Sequence, residues 1–140
     1  MSYLKYKILG IRTIDFSCLQ EIDENISITF NTEYKFRLNK VDCLIGCISN
    51  FTYLQQNKVI MNLSLECVFA IEPEFFKSLR EGDKYIVSAD CLQYLATISV
   101  GTARGEIHAR SEAANSPVMN LVLPPINLTE IIKTPSEFDA

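Results

Sequence analysis

One histidine, five cysteines and a glycine-bracketed pentad are the residues of this 140-residue chain whose types could support chemistry. The histidine, His108, falls within a stretch of helical spacing. A lone imidazole needs a nucleophile to activate or further ligands to share a metal, and the sequence brings none beside it. Packing or solvation is the plainer reading. The cysteines are Cys18, Cys43, Cys47, Cys67 and Cys91, with no C-x-x-C pair among them. Cys43 and Cys47 share one face of an expected strand, which sets them about 13 Å apart, beyond the reach of one tetrahedral zinc. Gly101-Thr102-Ala103-Arg104-Gly105 has the look of a phosphate loop, but such a loop follows a strand and opens a helix. These glycines fall mid-helix, where they serve close packing. The carboxylates are dispersed over wet faces, with no acid–base pair set by spacing. No catalytic residue, metal or cofactor is therefore expected.

Composition narrows the partners. Lys and Arg number 13 against 17 Asp and Glu, a net charge of −4, and no basic cluster is present to neutralise a run of phosphates. No nucleic acid partner is expected. Nothing approaches the ~18–20 apolar residues of a membrane span, so no membrane insertion is expected. Met1 to Gly10 interleaves Lys5 and Lys7 with apolar residues and lacks a signal-peptide core. The odd, dispersed cysteines read as reduced core thiols of a cytoplasmic protein. The N-x-S/T triplets at Asn25, Asn50, Asn62 and Asn127 then arise by chance. With 48% apolar residues in one small domain, some apolar surface is left for an interface or groove.

The elements follow from hydrophobic period. Between Asn25 and Asn39, Ile26, Ile28, Phe30, Tyr34, Phe36 and Leu38 alternate with polar residues, a strand with one wet face. Lys58 to Ile71 is a second strand, with Val59, Met61, Leu63, Leu65, Cys67, Phe69 and Ile71 on one face. Val41 to Leu54 is apolar on both faces, as a central strand would be, or one whose outer face joins another subunit. Tyr3 to Phe16 is a weaker strand. Short connections at Asn39-Lys40 and Gln55-Gln56-Asn57 make an antiparallel meander.

After Pro73 the period changes. Pro73 to Leu79 reads as one or two helical turns. Ser88 opens a long helix that runs to about Ala113, with a core stripe of Leu92, Leu95, Ala96, Ser99, Ala103 and Ile107. Beside it runs a second stripe: Tyr94, Ile98, Gly101, Gly105 and His108. A glycine inside a helix costs ~1 kcal/mol against alanine, so this stripe is expected to meet another helix or sheet closely. It is the expected oligomer interface. Asn115-Ser116-Pro117 ends the helix, Met119 to Leu123 is extended, and Asn127 caps a short last helix. Residues 1–133 read as a single domain and 134–140 as a frayed, flexible tail.

Two stretches carry a resemblance. Arg104-Gly105-Glu106-Ile107-His108-Ala109-Arg110 closes the small-residue-rich helix, and Met119-Asn120-Leu121-Val122-Leu123-Pro124-Pro125-Ile126-Asn127-Leu128 follows it. Asn120, Leu121, Leu123, Pro125, Ile126 and Asn127 match, in order, an N-L-x-L-x-P-(I/V)-(N/D) segment. With the strand end Glu66 to Ile71, they make the chain resemble the SecB family of export chaperones. The resemblance implies an α+β fold, a four-stranded antiparallel sheet with the long helix and shorter helices on one face. It implies a homotetramer, a dimer of dimers with the long helices sandwiched between sheets. It also implies a nucleotide-free holder of unfolded or nascent polypeptides in protein transport, serving translocation. Grooves between the helix layer and the sheet would then be lined by Phe36, Phe51, Tyr53, Phe75 and Phe76. Family members pass clients to the export motor ATPase through a longer tail than the seven residues after Lys133. A SecB-like adaptor dedicated to one partner, such as an antitoxin, is the alternative.

Overall fold

The computed structural model describes residues 4–140, so Tyr3, the expected first strand residue, lies outside the described residues. Four long strands come first: β1 (Tyr6–Cys18), β2 (Thr29–Asn39), β3 (Leu44–Gln55) and β4 (Lys58–Ile71). They form one antiparallel sheet in the order β1-β4-β3-β2. β3 carries apolar residues on both faces, although α2 covers only one of them. Ile45, Cys47, Phe51 and Tyr53 are buried on one side, and Leu44, Ile48 and Leu54 are half-buried on the other. Then come α1 (Pro73–Ser78), β5 (Arg80–Glu81), β6 (Lys84–Val87) and α2 (Ala89–Ala113). A 3-10 turn at Pro117–Asn120, α3 (Leu128–Ile131) and β7 (Ser136–Asp139) complete the chain. The α+β, four-stranded antiparallel architecture is as expected from the sequence.

The core lies between the sheet and α2. Met61, Leu63, Leu65, Cys67 and Phe69 from β4 meet Leu92, Leu95, Ala96, Ala103 and Ile107 of the helix, all at most 2% exposed. Ser88 caps α2 where expected: its hydroxyl oxygen accepts the Cys91 N–H at 3.2 Å.

Several expectations are corrected. The β2–β3 connection spans residues 40–43, so Val41 is 90% exposed rather than on a core face, and Cys43 enters β3 through a left-handed turn (φ 56). Cys43 and Cys47 therefore do not share a strand face. In β4 an extra residue, Ile60, stands between the pairs Leu54–Val59 and Tyr53–Met61. That bulge reverses the alternation, which turns Val59 outward at 47% exposure while Ile60 is buried. Met119 lies in the 3-10 turn, and the extended run starts only after it. The frayed tail is corrected too: Ser136–Asp139 pairs antiparallel with β6 and forms a second, three-stranded sheet, β5-β6-β7.

Polar residues on the sheet face turned away from α2 are knitted across strands. Asn50 Nδ2 donates to Asn62 Oδ1 at 3.1 Å and Ser64 Oγ at 2.6 Å, and Asn62 Nδ2 donates to Asp15 Oδ2 at 3.0 Å. At its centre the Glu66 carboxylate is only 3% exposed. Arg12 covers it from β1 at 3.3 Å, and Arg37 reaches over Gly46 from β2 to 2.7 Å. Gly46 permits this crossing, since a Cβ there would lie 3.1 Å from both Arg37 Cγ and Glu66 Oε2. The two guanidiniums are 64% and 62% exposed, so water offsets much of the attraction. Glu66→Gln is expected to lower the unfolding free energy by about 1–2 kcal/mol in urea titration, with the deficit shrinking at high salt. A neutral result at low salt would show that the pair contributes nothing.

Candidate polypeptide-binding surface

The helix presents two faces with opposite fates. Leu92, Leu95, Ala96, Ser99, Ala103 and Ile107 are buried against the sheet. Tyr94, Ile98, Gly101, Gly105 and His108 fall on the opposite side by the 3.6-residue period. Of these, Tyr94 is 49% exposed, Ile98 is half-buried, and the other three are exposed. A Cβ placed on Gly101 or Gly105 meets nothing within 4 Å. Within one chain, therefore, no close packing uses either glycine. His108 stands at the flank of the stripe, its ring 3.3 Å from the Met119 carbonyl and 3.2 Å from Glu112.

α2 runs beside the edge strand β1 and is tied to it at two points. The Tyr6 and Tyr94 hydroxyls are 3.2 Å apart, with their rings edge to face at 5.5 Å. Thr13 Oγ1 donates to Glu106 Oε2 at 3.1 Å and accepts from Arg110 Nη2 at 3.0 Å. Tyr94 to Glu106 spans about 18 Å of helix. Between these ties Ile8 and Ile11 remain 44% and 49% exposed. Their strand partners, Phe69 and Cys67, are core residues, so both isoleucines point to the helix side. The helix stripe and β1 thus make one open apolar flank, with a depression of ≈ 510 Å³ along α2 from Gly101 to Ala113. Bulges leave Leu9 and Ile14 out of register at 58% and 44% exposure. The sequence reading missed this strand's part in the flank. Its signal was visible: YKILGIRTIDFSC carries aliphatics on both parities.

The expected groove aromatics divide. Phe51, Tyr53 and Phe76 are 0%, 2% and 1% exposed and belong to the core, so they offer no surface to a client. Odd positions of β3 face α2, and Phe76 packs inward against Tyr85 with ring centroids 5.2 Å apart. Burial pushes the Tyr53 hydroxyl up to about 12, so it stays neutral. Phe36 and Phe75 are half-buried and keep exposed area. Phe30, 37% exposed, shares the helix side of β2 with Phe36, since their partners Tyr53 and Cys47 both face α2. After the 3-10 turn comes the extended segment 121–127. Arg104 pins it, donating from Nε to the Leu123 carbonyl at 3.2 Å and from Nη2 to the Pro124 carbonyl at 3.0 Å. Leu123 is buried beneath it and Val122 stands 82% exposed. The segment that carried the resemblance is thus held by the helix residue that opened its other motif.

All five cysteines are free thiols. Cys47 and Cys67 face each other across β3 and β4 at zero exposure, and burial pushes Cys47 up to about 12. Alkylation of the native protein near pH 8 is expected to label the half-exposed Cys18 and Cys43 first. Cys47 and Cys67 should react only at the rate of unfolding. The folded thiol ionises above its ordinary value of 9.0, so its share of stability is complete below about pH 9. That share is lost as pH rises toward 12, because the unfolded chain gives up the proton first. Fast native labelling of Cys47 would show that this core opens. No group of three metal-ligating side chains occurs among the described residues. No helix of those residues is long and apolar enough to cross a membrane.

The described residues form an α+β fold, a long antiparallel four-stranded sheet backed by one 25-residue helix, with an Arg-pinned extended segment beside the helix. No family model and no curated protein matches the chain. Among solved structures it is similar to the Mycobacterium tuberculosis Rv1957 SecB-like chaperone, solved in complex with a ChAD peptide from the Rv1956 HigA1 antitoxin. The TM-score is 0.52 at 13% identity, covering 87% of this chain and 88% of that one. The chain has the SecB-like fold.

Proposed function

We propose that the chain is a SecB-like, non-enzymatic holding protein that binds unfolded or nascent polypeptides without nucleotide. The observation that carries this reading is the open apolar flank of α2 and β1, with the half-exposed Phe30 and Phe36 on the helix side of β2. A domain this small seldom leaves contiguous apolar surface wet unless a partner covers it. The stripe of Tyr94, Ile98, Gly101, Gly105 and His108 serves a homo-oligomer, a dimer of dimers in which the helices lie between sheets. Client segments bind along the edge of the helix layer through Phe36 and Phe75 together with Phe30 and Val122. Each contact is weak, and several along one client add by multivalency. The assembly works in the cytoplasm and serves export. Handover to the export motor ATPase through residues 134–140 requires release of β7. Preferential binding of the unfolded client is sufficient for holding.

A second reading has its own support. The similar solved structure carries an antitoxin peptide, which favours an adaptor dedicated to one such partner. Light scattering gives the assembly mass, and an aggregation assay with several unrelated denatured proteins separates the two readings. Suppression across all of them supports general holding. Activity on none, beside tight binding of one dedicated peptide, supports the adaptor. A monomer with neither property sinks both.

A further inference from the structure

The small sheet holds a strand that was expected to be loose. β7 pairs with the outer edge of β6 in the register Lys84–Asp139, Tyr85–Phe138, Ile86–Glu137 and Val87–Ser136. The Ala140 N–H donates to the Asp83 carbonyl at 2.9 Å, and the Ile86 N–H turns the other way, to the Leu79 carbonyl at 2.9 Å. Antiparallel alternation then aims the Tyr85 and Val87 N–H groups at β7. Beyond these backbone bonds β7 also lies beside β2. Phe138 is half-buried against the core, while Glu137 and Asp139 are exposed. The one ion pair, Lys84 Nζ to Asp139 Oδ1 at 3.6 Å, has its carboxylate 93% exposed and is worth little. Pro135 precedes the strand. β7 has the form of a short extended peptide tethered in a strand-addition site.

From this geometry we infer that the outer edge of β6 is a strand-addition site for an extended peptide with an aromatic residue followed by an acidic one. Ser136–Asp139 is its tethered resident. The site's specificity is built into the fold. Tyr85, tilted against Phe76, forms the aromatic wall opposite Phe138, and Lys84 supplies the cation one position on. Main-chain hydrogen bonds give affinity in such a site, and alternate side-chain positions give selectivity. Tethering gives the resident a local concentration in the millimolar range, so an outside peptide binds well only once β7 is displaced. This site lies apart from the α2–β1 flank and does not depend on the holding function.

The test uses the full chain and a fluorescein-labelled, end-blocked peptide with the sequence of Thr134–Ala140, followed by anisotropy. Phe138→Pro removes the anchor and the N–H that faces the Tyr85 carbonyl, and so frees the edge. This variant is expected to bind the peptide at least about tenfold more tightly than the unaltered chain. A peptide with alanine in place of its phenylalanine should lose most of that affinity. Amide exchange at Tyr85 and Val87 should quicken in the variant and slow again when peptide is added. Equal binding by the two proteins, binding by neither, or bound peptide that leaves those two amides fast each overturns the inference. Should circular dichroism show that Phe138→Pro does not fold, Phe138→Ala carries the same comparison with the same outcomes.

Discussion

Phe51→Ala is expected to cost about 3–5 kcal/mol of unfolding free energy in urea titration. The side chain is fully buried on the helix side of β3, directly across from Leu63 and edge-on to Tyr34 at 6.1 Å. Truncation removes a ring from a close-packed site between two central strands and α2, where the sheet cannot collapse to refill the space. Affinity for an unfolded client, measured under conditions where the variant is still folded, should be unchanged. Phe36→Ala should behave in the opposite way. Its side chain is half-buried on the edge strand, so it should lose less stability and weaken client binding. A nearly neutral Phe51→Ala with weakened binding would return that residue to a groove and overturn its place in the core.

Gly101→Leu should break the assembly while leaving the subunit folded. The residue lies on the outer face of α2, and a Cβ there meets nothing within 4 Å in the single chain. In an isolated subunit, replacing this glycine by alanine should stabilise the helix by up to ~1 kcal/mol, and the same holds at Gly105. Any destabilisation therefore reports a second molecule. In a sandwich of helices, added bulk overpacks the contact at a cost of ~1–3 kcal/mol per site, repeated in every subunit by symmetry. The expected signature is a shift to smaller species in light scattering with the helical circular dichroism signal kept. An unchanged mass with a higher melting temperature would show that this face stays in water. Ile11→Arg on the neighbouring strand gives an independent check, since it places a charge on the same flank.

Local pattern stops specifying the fold where non-local pairing begins. Long alternations were readable because period two and period 3.6 follow from backbone geometry alone. Lys58–Ile71 and Ala89–Ala113 accordingly stand within a residue of expectation. The faces of β2 were readable for the same reason. Reversals of alternation were not: nothing local marks Ile60 as an extra residue, because a bulge exists only relative to a partner strand. Phe51 and Phe36 look alike as aromatics on alternating strands. One becomes core and the other a rim because β3 is central and β2 is an edge.

Sequence by itself thus determined the kinds of element and their order: strands first and one long two-striped helix after them. These follow from residue type and short-range spacing, which no packing can alter. Tertiary structure decided which apolar residues stay wet. It turned Ile8 and Ile11 toward an uncovered flank and sent Phe51, Tyr53 and Phe76 inside. It also folded Ser136–Asp139 back onto β6. A strand's free edge and a side chain's exposure are properties of its neighbours, and those neighbours are assembled from positions as distant in sequence as Tyr6 and Tyr94.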